Sequence, residues 1–143
     1  CSTEEQYPQL CPELCQQLPI DPMRGIAVAT PSSGTGPFPL FIWFPGTTFC
    51  NRDAASLQVL KAMAERGYVS ASIEYPQSYL YCNYVFDEKA RALTNGAESP
   101  IGMLCALSQV DCSLGIATGG YSQGALLAVL TAKYEPRIQA AFG

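Results

Sequence analysis

The sequence predicts an α/β fold in which helices cover both faces of a mostly parallel sheet. Apolar runs typical of strands alternate with helix-forming runs from residue 24 onward. The run Pro39–Pro45 is apolar throughout instead of alternating, as expected of a strand buried on both faces. This strand is therefore predicted to be central in the sheet.

In the first half of the chain, the sequence predicts an irregular strap followed by three strands and one helix. Residues 1–23 contain three cysteines and few apolar pairs, which favours a disulfide-tied N-terminal strap. Strands are expected at 24–30, 39–45 and 68–75. Between the last two, Asn51 and Asp53 can cap a helix that ends near Arg66, before Gly67. Leu57, Leu60 and Ala64 are placed together on its inner face.

The second half predicts further helices and two more strands. A polar and aromatic loop at 77–84 precedes a helix at 87–93, and Ser99-Pro100 opens another helix at 101–110. A strand at 114–118 is followed by a helix at 125–135, and a last strand occupies 138–142. The chain thus divides into the strap, 1–23, and one α/β region, 24–143.

Composition excludes several classes of function. The net charge is −4, and the eight basic residues are scattered, so nothing indicates nucleic-acid or anionic-membrane binding. No apolar run reaches the roughly 18 residues of a membrane span. Because there is no histidine and no C-x-x-C pair, no metal site is expected, and no cofactor is implied.

Cysteine usage indicates an oxidising compartment. The seven cysteines favour disulfides and a secreted or lumenal protein, although buried free thiols in a cytosolic protein are an alternative. Since the number is odd, one sulfur must be free, capped or bonded to another chain. A lipid-modified Cys1 is a lesser alternative.

The most informative motif is Gly120-Tyr121-Ser122-Gln123-Gly124, a G-x-S-x-G pentad between a predicted strand and a predicted helix. In this context the serine hydroxyl is exposed on a sharp turn, and Gly120 and Gly124 leave room where a Cβ would collide with neighbouring elements. As a bare pattern the pentad also occurs by chance in glycine-rich turns. Its position between strand and helix favours Ser122 as the nucleophile of acyl transfer.

These residues resemble the α/β-hydrolase family, and more loosely its secreted esterase, cutinase and polyesterase members. The resemblance covers about residues 24–143 and also rests on Phe44-Pro45-Gly46-Thr47-Thr48 after the central strand. It implies that the backbone N–H groups of Thr47 and Gln123 form an oxyanion hole, with Thr48 as the second choice for Thr47. Pro45 stands where many members have histidine. Phe49, Tyr79 and Tyr81 are candidates for lining an acyl or alcohol pocket, or else pack in the core.

The base of a catalytic triad is missing from the sequence. In the family the acid and the histidine follow the serine, after later strands. Lys133 lies 11 residues after Ser122 on one helix, about 16 Å away, and is excluded as a substitute. Asp53, Asp87 and Asp111 precede the motif and are interpreted as helix starts or turns.

The sequence therefore predicts a serine esterase or lipase-type hydrolase, incomplete in this chain, with His and Asp supplied from beyond Gly143. The supplier is a C-terminal segment or a second chain of the same precursor, which a disulfide could link to this one. Alone, the chain is expected to be nearly inactive. Thioesterase and peptidase activities stay open, as does a secreted, catalytically inactive binding or structural module of the same fold.

Overall fold

The computed structural model describes residues 25–47, 49, 51–75 and 83–143, with side chains from residue 86 onward in the last segment. The predicted strap at 1–23 and the loop at 77–84, apart from the backbone of its last two residues, lie outside the described residues. In chain order the elements are β1 (Ile26–Ala29), β2 (Leu40–Phe44), α1 (Ala54–Ala64), β3 (Val69–Ile73), α2 (Asn83–Thr94), α3 (Pro100–Cys105), β4 (Ile116–Gly120), α4 (Gln123–Thr131) and β5 (Ile138–Phe142).

The five strands form one sheet in the order β1-β3-β2-β4-β5. β1 pairs antiparallel with β3, and every other pairing is parallel. The predicted central position of the apolar Pro39–Pro45 run is confirmed, because β2 lies between β3 and β4 and is paired on both edges. In the β2–β4 register Phe44 is opposite Gly120, so both strands end at the same edge of the sheet.

Helices cover the sheet on both faces, as predicted. On β2, Leu40, Ile42 and Phe44 point into a core that also contains residues of α2, α3 and α4. Phe41, which alternates with them, is equally buried on the opposite face, where α1 packs against β1, β2 and β3. Burying both sides of one strand explains its uninterrupted hydrophobicity.

Helix α1 begins as predicted but presents a different face. Asp53 is its N-cap, with its carboxylate accepting the Ser56 N–H at 2.8 Å, and Gly67 follows its end at a φ of 86°. Leu60 and Ala64 are buried, but the expectation for Leu57 is wrong. Leu57 is 48% exposed, and Ser56, one residue earlier, takes the buried position on the helical repeat.

The predicted bounds of several later elements were wrong. α3 ends at Cys105 instead of residue 110, because a disulfide holds the Cα atoms of Cys105 and Cys112 only 5.6 Å apart. Seven residues of continuous helix would separate them by about 10.5 Å. A 3₁₀ turn at Cys112–Leu114, capped by Asp111, then delays β4 to residue 116.

Helices α2 and α4 also differ from prediction. α2 begins at Asn83, four residues early, so Asp87 lies inside the helix and does not start it. α4 spans Gln123–Thr131 and not 125–135, since it begins directly after Ser122. Its last predicted turn is replaced by tight turns, with Tyr134 donating its N–H to the Thr131 carbonyl.

The Cys105–Cys112 disulfide has an S–S distance of 2.04 Å and is the disulfide found within the described residues. It confirms that at least some of the cysteines are paired. Cys1, Cys11, Cys15, Cys50 and Cys82 lie outside those residues. Among the helices described, none is both long and apolar enough to cross a membrane.

Candidate active site

Ser122 is the second of the two residues between β4 and α4, at the carboxyl edge of the sheet. Its φ of 54° and ψ of −117° make it the one non-glycine residue with positive φ in the described part of the chain. A side chain in this region of backbone space costs of order 1–3 kcal/mol. The residue is also exposed, so the strained turn presents its hydroxyl to the surface.

The two glycines of the pentad permit this turn. A Cβ on Gly120 would lie 2.3 Å from the carbonyl carbon and oxygen of Gly124, and a Cβ on Gly124 would lie 2.0 Å from the carbonyl oxygen of Phe44. Real Cβ atoms do not make contacts this short. The atoms that each Cβ would meet belong to the backbone, which cannot move aside as a flexible side chain can. A side chain at either position would therefore collide with backbone atoms of α4 or β2.

The loop after β2 lies directly against Ser122. A Cβ on Gly46 would be 3.4 Å from the Cβ of Ser122 and 2.8 Å from Cδ1 of Tyr121. The Tyr121 N–H donates to the Phe44 carbonyl at 3.2 Å, which ties the pentad to the end of β2. The Gly46 carbonyl accepts the Phe49 N–H at 3.0 Å, so the chain turns directly after Gly46.

The two predicted oxyanion donors lie on the two segments that meet at Ser122. Gln123 is the first residue of α4, where the positive end of the helix dipole is located. Thr47 follows Gly46, the residue that packs on Ser122, and is half-buried. Thr48, the second choice, lies outside the described residues.

Sequence reasoning missed Tyr75, which holds the loop after β2. Its hydroxyl donates to the carbonyl of Pro45 at 2.5 Å, and its ring meets Phe44 edge to face at 6.3 Å. Burial raises the pKa of Tyr75 above its ordinary value, so the phenol stays protonated and able to donate. The available signal was an aromatic residue at the end of a buried strand, directly before Pro76.

Two cavities open beside the turn at Ser122. One of about 500 Å³ is lined by Ser122 and by apolar residues of α4, among them Ala125, Leu126 and Val129. The other, of about 300 Å³, is lined by three aromatic residues, including Phe49, one of the predicted pocket residues. The other two candidates, Tyr79 and Tyr81, lie outside the described residues.

The charged residues considered as catalytic partners are engaged elsewhere. The Asp87 carboxylate accepts a hydrogen bond from the Tyr134 hydroxyl, and Nζ of Lys133 lies 2.9 Å from it. These two contacts lower the pKa of Asp87 to about 2. Asp53 caps α1 and Asp111 caps the 3₁₀ turn, where the hydroxyl and N–H of Ser113 lower the pKa of the Asp111 carboxyl. Within the described ranges, no three His, Cys, Asp or Glu side chains are grouped to hold a metal ion.

Comparison with known proteins shows the fold. No protein-family model matches the chain, and no curated protein matches it in sequence. Among solved structures, 2,6-dihydroxy-pseudo-oxynicotine hydrolase is similar with a TM-score of 0.55 and 24% identity over 81% of this chain. A protein assigned as a dienelactone hydrolase, from Klebsiella pneumoniae subsp. pneumoniae MGH 78578, is similar with a TM-score of 0.55 and 17% identity over 80%.

The matched regions are only part of the similar structures, 31% and 51% of their respective lengths. The described elements therefore have the architecture of an α/β-hydrolase core, with a mostly parallel sheet and helices on both faces. At these identities the likeness establishes the fold, and activity has to be argued from the site.

Proposed function

We propose that the protein is a serine hydrolase that cleaves carboxylic esters through an acyl-enzyme at Ser122. The observation that carries this proposal is the backbone of Ser122, a strained positive-φ residue between a parallel strand and a helix. Strain at one exposed serine, with a glycine two residues before it and another two residues after it, is typical of a nucleophile elbow. The two cavities beside it offer space for a substrate.

In the proposed reaction the Ser122 oxygen attacks the ester carbonyl carbon, and the hydroxyl proton passes to a base. The carbonyl oxygen becomes an oxyanion, which accepts hydrogen bonds from the backbone N–H groups of Gln123 and Thr47. Collapse of this intermediate expels the alcohol, which takes the proton back, and leaves Ser122 acylated. Water then attacks the acyl-enzyme, releasing the carboxylic acid and restoring the serine.

The base is proposed to come from outside these 143 residues. The sequence contains no histidine, and Lys133, which lies just beyond the end of α4, forms an ion pair with Asp87. His and Asp supplied by a segment or second chain beyond Gly143 would complete the triad. The 143-residue chain alone is then expected to show only the residual rate that an oxyanion hole provides.

The protein is further proposed to function in a secreted or lumenal compartment. Support comes from the seven cysteines of the sequence and from the disulfide between Cys105 and Cys112. A cysteine of the chain can also hold the partner segment by a disulfide. Intact mass of the native protein, with and without reductant, tests this link: release of a histidine-containing polypeptide supports it, and an unchanged single mass argues against it.

Ester hydrolysis by protein isolated from its native source tests the function. We expect turnover of a short-chain p-nitrophenyl ester, and a loss of 10³-fold or more in Ser122→Ala. Ser113→Ala is the matched control, since that hydroxyl donates to Asp111 away from the strained turn. Turnover that survives Ser122→Ala would refute the proposal. A folded protein with no turnover would favour the alternative, a catalytically inactive binding or structural module of the same fold, which the missing histidine also suggests.

A further inference from the structure

The cavity of about 300 Å³ beside the loop after β2 is the least explained feature near Ser122. Three aromatic side chains line it, from Trp43 on β2, Phe49 on the loop and Tyr121 on the pentad. Pro45 and Gly46 complete the wall nearest the pentad, and Asp53 lies at the start of α1. The lining thus comes from β2, the loop after it and the pentad, which all lead to the candidate active site, and from the start of α1.

Two of the aromatic rings are exposed although they contact each other. The centroids of Phe49 and Tyr121 are 6.1 Å apart with an angle of 87° between the planes, an edge-to-face pair. Phe49 is nevertheless 41% exposed and Tyr121 61% exposed. A pair with this much exposed surface can pack against a third ring.

The size of the cavity fits an aromatic group. A cavity of roughly 150 Å³ is large enough to bind benzene. About 300 Å³ therefore accommodates one ring together with its substituents. An aryl ring stacked there would gain the offset or edge-to-face geometry that a saturated ring of the same size cannot supply.

Charge restricts the occupant further. Asp53 is the one charged residue among the described residues of the lining, and its carboxylate accepts the Ser56 N–H at 2.8 Å and the Ser56 hydroxyl at 3.3 Å. The part of the lining that the structure describes offers no cation with which a carboxylated ring could pair. A neutral ring is consequently favoured over a benzoate-type anion, which would meet like charge.

Position links this cavity to the reaction. Tyr121 directly precedes Ser122, and Gly46 packs on both residues and precedes Thr47, the proposed oxyanion donor. The cavity of about 500 Å³, which Ser122 itself lines, has mainly aliphatic walls, including Leu126 and Val129. The two cavities therefore differ in chemistry.

We propose that Trp43, Phe49 and Tyr121 form a subsite for a neutral, planar aryl group of the ester substrate. This inference rests on the proposed function, because it takes Ser122 as the reacting residue. In this proposal Phe49 and Tyr121 select the substrate by packing against its ring, and they take no part in bond breaking. The protein is then selective for aryl esters over alkyl esters of equal volume.

Trp43 provides a direct test, since it is the only tryptophan of the sequence and lines the cavity. Its fluorescence is followed while Ser122→Ala is titrated with phenyl acetate, cyclohexyl acetate and 4-acetoxybenzoate. We expect a saturable change with phenyl acetate and binding at least about fivefold weaker for the other two esters. Phe49→Ala in the same background should weaken phenyl acetate binding by a similar factor, and Leu114→Ala, at an exposed leucine before β4 that lines neither cavity, should not.

Equal affinity for the phenyl and cyclohexyl esters would overturn the inference, as would unchanged binding after Phe49→Ala or no fluorescence response to any ester. Phe49→Leu separates the effect of side-chain volume from that of aromatic character, and its binding is expected to resemble that of Phe49→Ala. An unfolding midpoint equal to that of the parent shows that each variant is folded. Because Ser122→Ala cannot form an acyl-enzyme, this result does not depend on turnover. Selective aryl binding without turnover in the serine-containing protein would reject the proposed function and retain the subsite.

Discussion

Gly124 and Phe44 are in backbone contact: a Cβ on Gly124 would lie 2.0 Å from the Phe44 carbonyl oxygen. This approach brings the first turn of α4 against the end of β2, and it places Ser122 beside the loop that follows β2. The geometry of the candidate site thus depends on a missing side chain two residues away from the serine.

Gly124→Ala is expected to lower the free energy of unfolding by 3 kcal/mol or more, because α4 must move away from β2 to admit the methyl group. Denaturant unfolding measures the effect. Gly25→Ala is the control, since a Cβ there would have only ordinary contacts at 3.6 and 3.7 Å. Equal effects of the two substitutions would show that α4 does not approach β2 this closely.

Ser122→Gly should be more stable than Ser122→Ala by about 1 kcal/mol. Glycine adopts a φ of 54° and ψ of −117° without the strain that any Cβ causes, and this gain exceeds its larger loss of entropy on folding. Thermal or denaturant unfolding of the two variants, neither of which carries the hydroxyl, isolates the backbone effect. A Ser122→Ala variant as stable as Ser122→Gly would contradict a strained turn.

The Cys105–Cys112 disulfide closes a short loop, with a sequence separation of 7. Replacing both cysteines by alanine should reduce the free energy of unfolding by roughly 2–3 kcal/mol, chiefly through the entropy of the unfolded chain. Peptide mapping without reductant should recover the two residues in one linked species. Recovery of Cys105 linked to a different cysteine would show that the pairing is wrong.

Acid should weaken the contact between α2 and the segment after α4. The pKa of Asp87 is lowered from 3.8 to about 2 by the hydrogen bonds from Tyr134 and Lys133. A carboxyl with a depressed pKa stabilises the folded state above its unfolded pKa and loses that contribution as pH falls through the folded value. Stability should therefore decline between about pH 4 and pH 2, and less steeply in Asp87→Asn.

Glu88→Gln is the matched control for Asp87, because Glu88 is an exposed carboxylate on the same helix. It should leave the acid-dependent decline of the parent unchanged when unfolding is followed across this pH range. If stability declined with pH equally steeply in Asp87→Asn and in the parent, Asp87 would not be the cause of the decline.

The fold class was predictable from the sequence because the burial of β2 on both faces leaves a continuous apolar run, Pro39–Pro45. The strand–turn–helix position of Ser122 was equally local, since it follows from the glycines of one pentad. Long-range constraints account for what was missed. The end of α3 depends on a disulfide between Cys105 and Cys112, and the role of Tyr75 depends on a carbonyl 30 residues earlier in the chain.

The most direct test of Ser122 as nucleophile is labelling of protein from its native source with a fluorophosphonate probe, followed by peptide mass spectrometry. The proposed function predicts one labelled peptide, with the adduct on Ser122, and no adduct in Ser122→Ala or in heat-unfolded protein. A folded protein that contains the histidine-bearing segment and yet leaves Ser122 unlabelled, or carries the adduct on another residue, would contradict it.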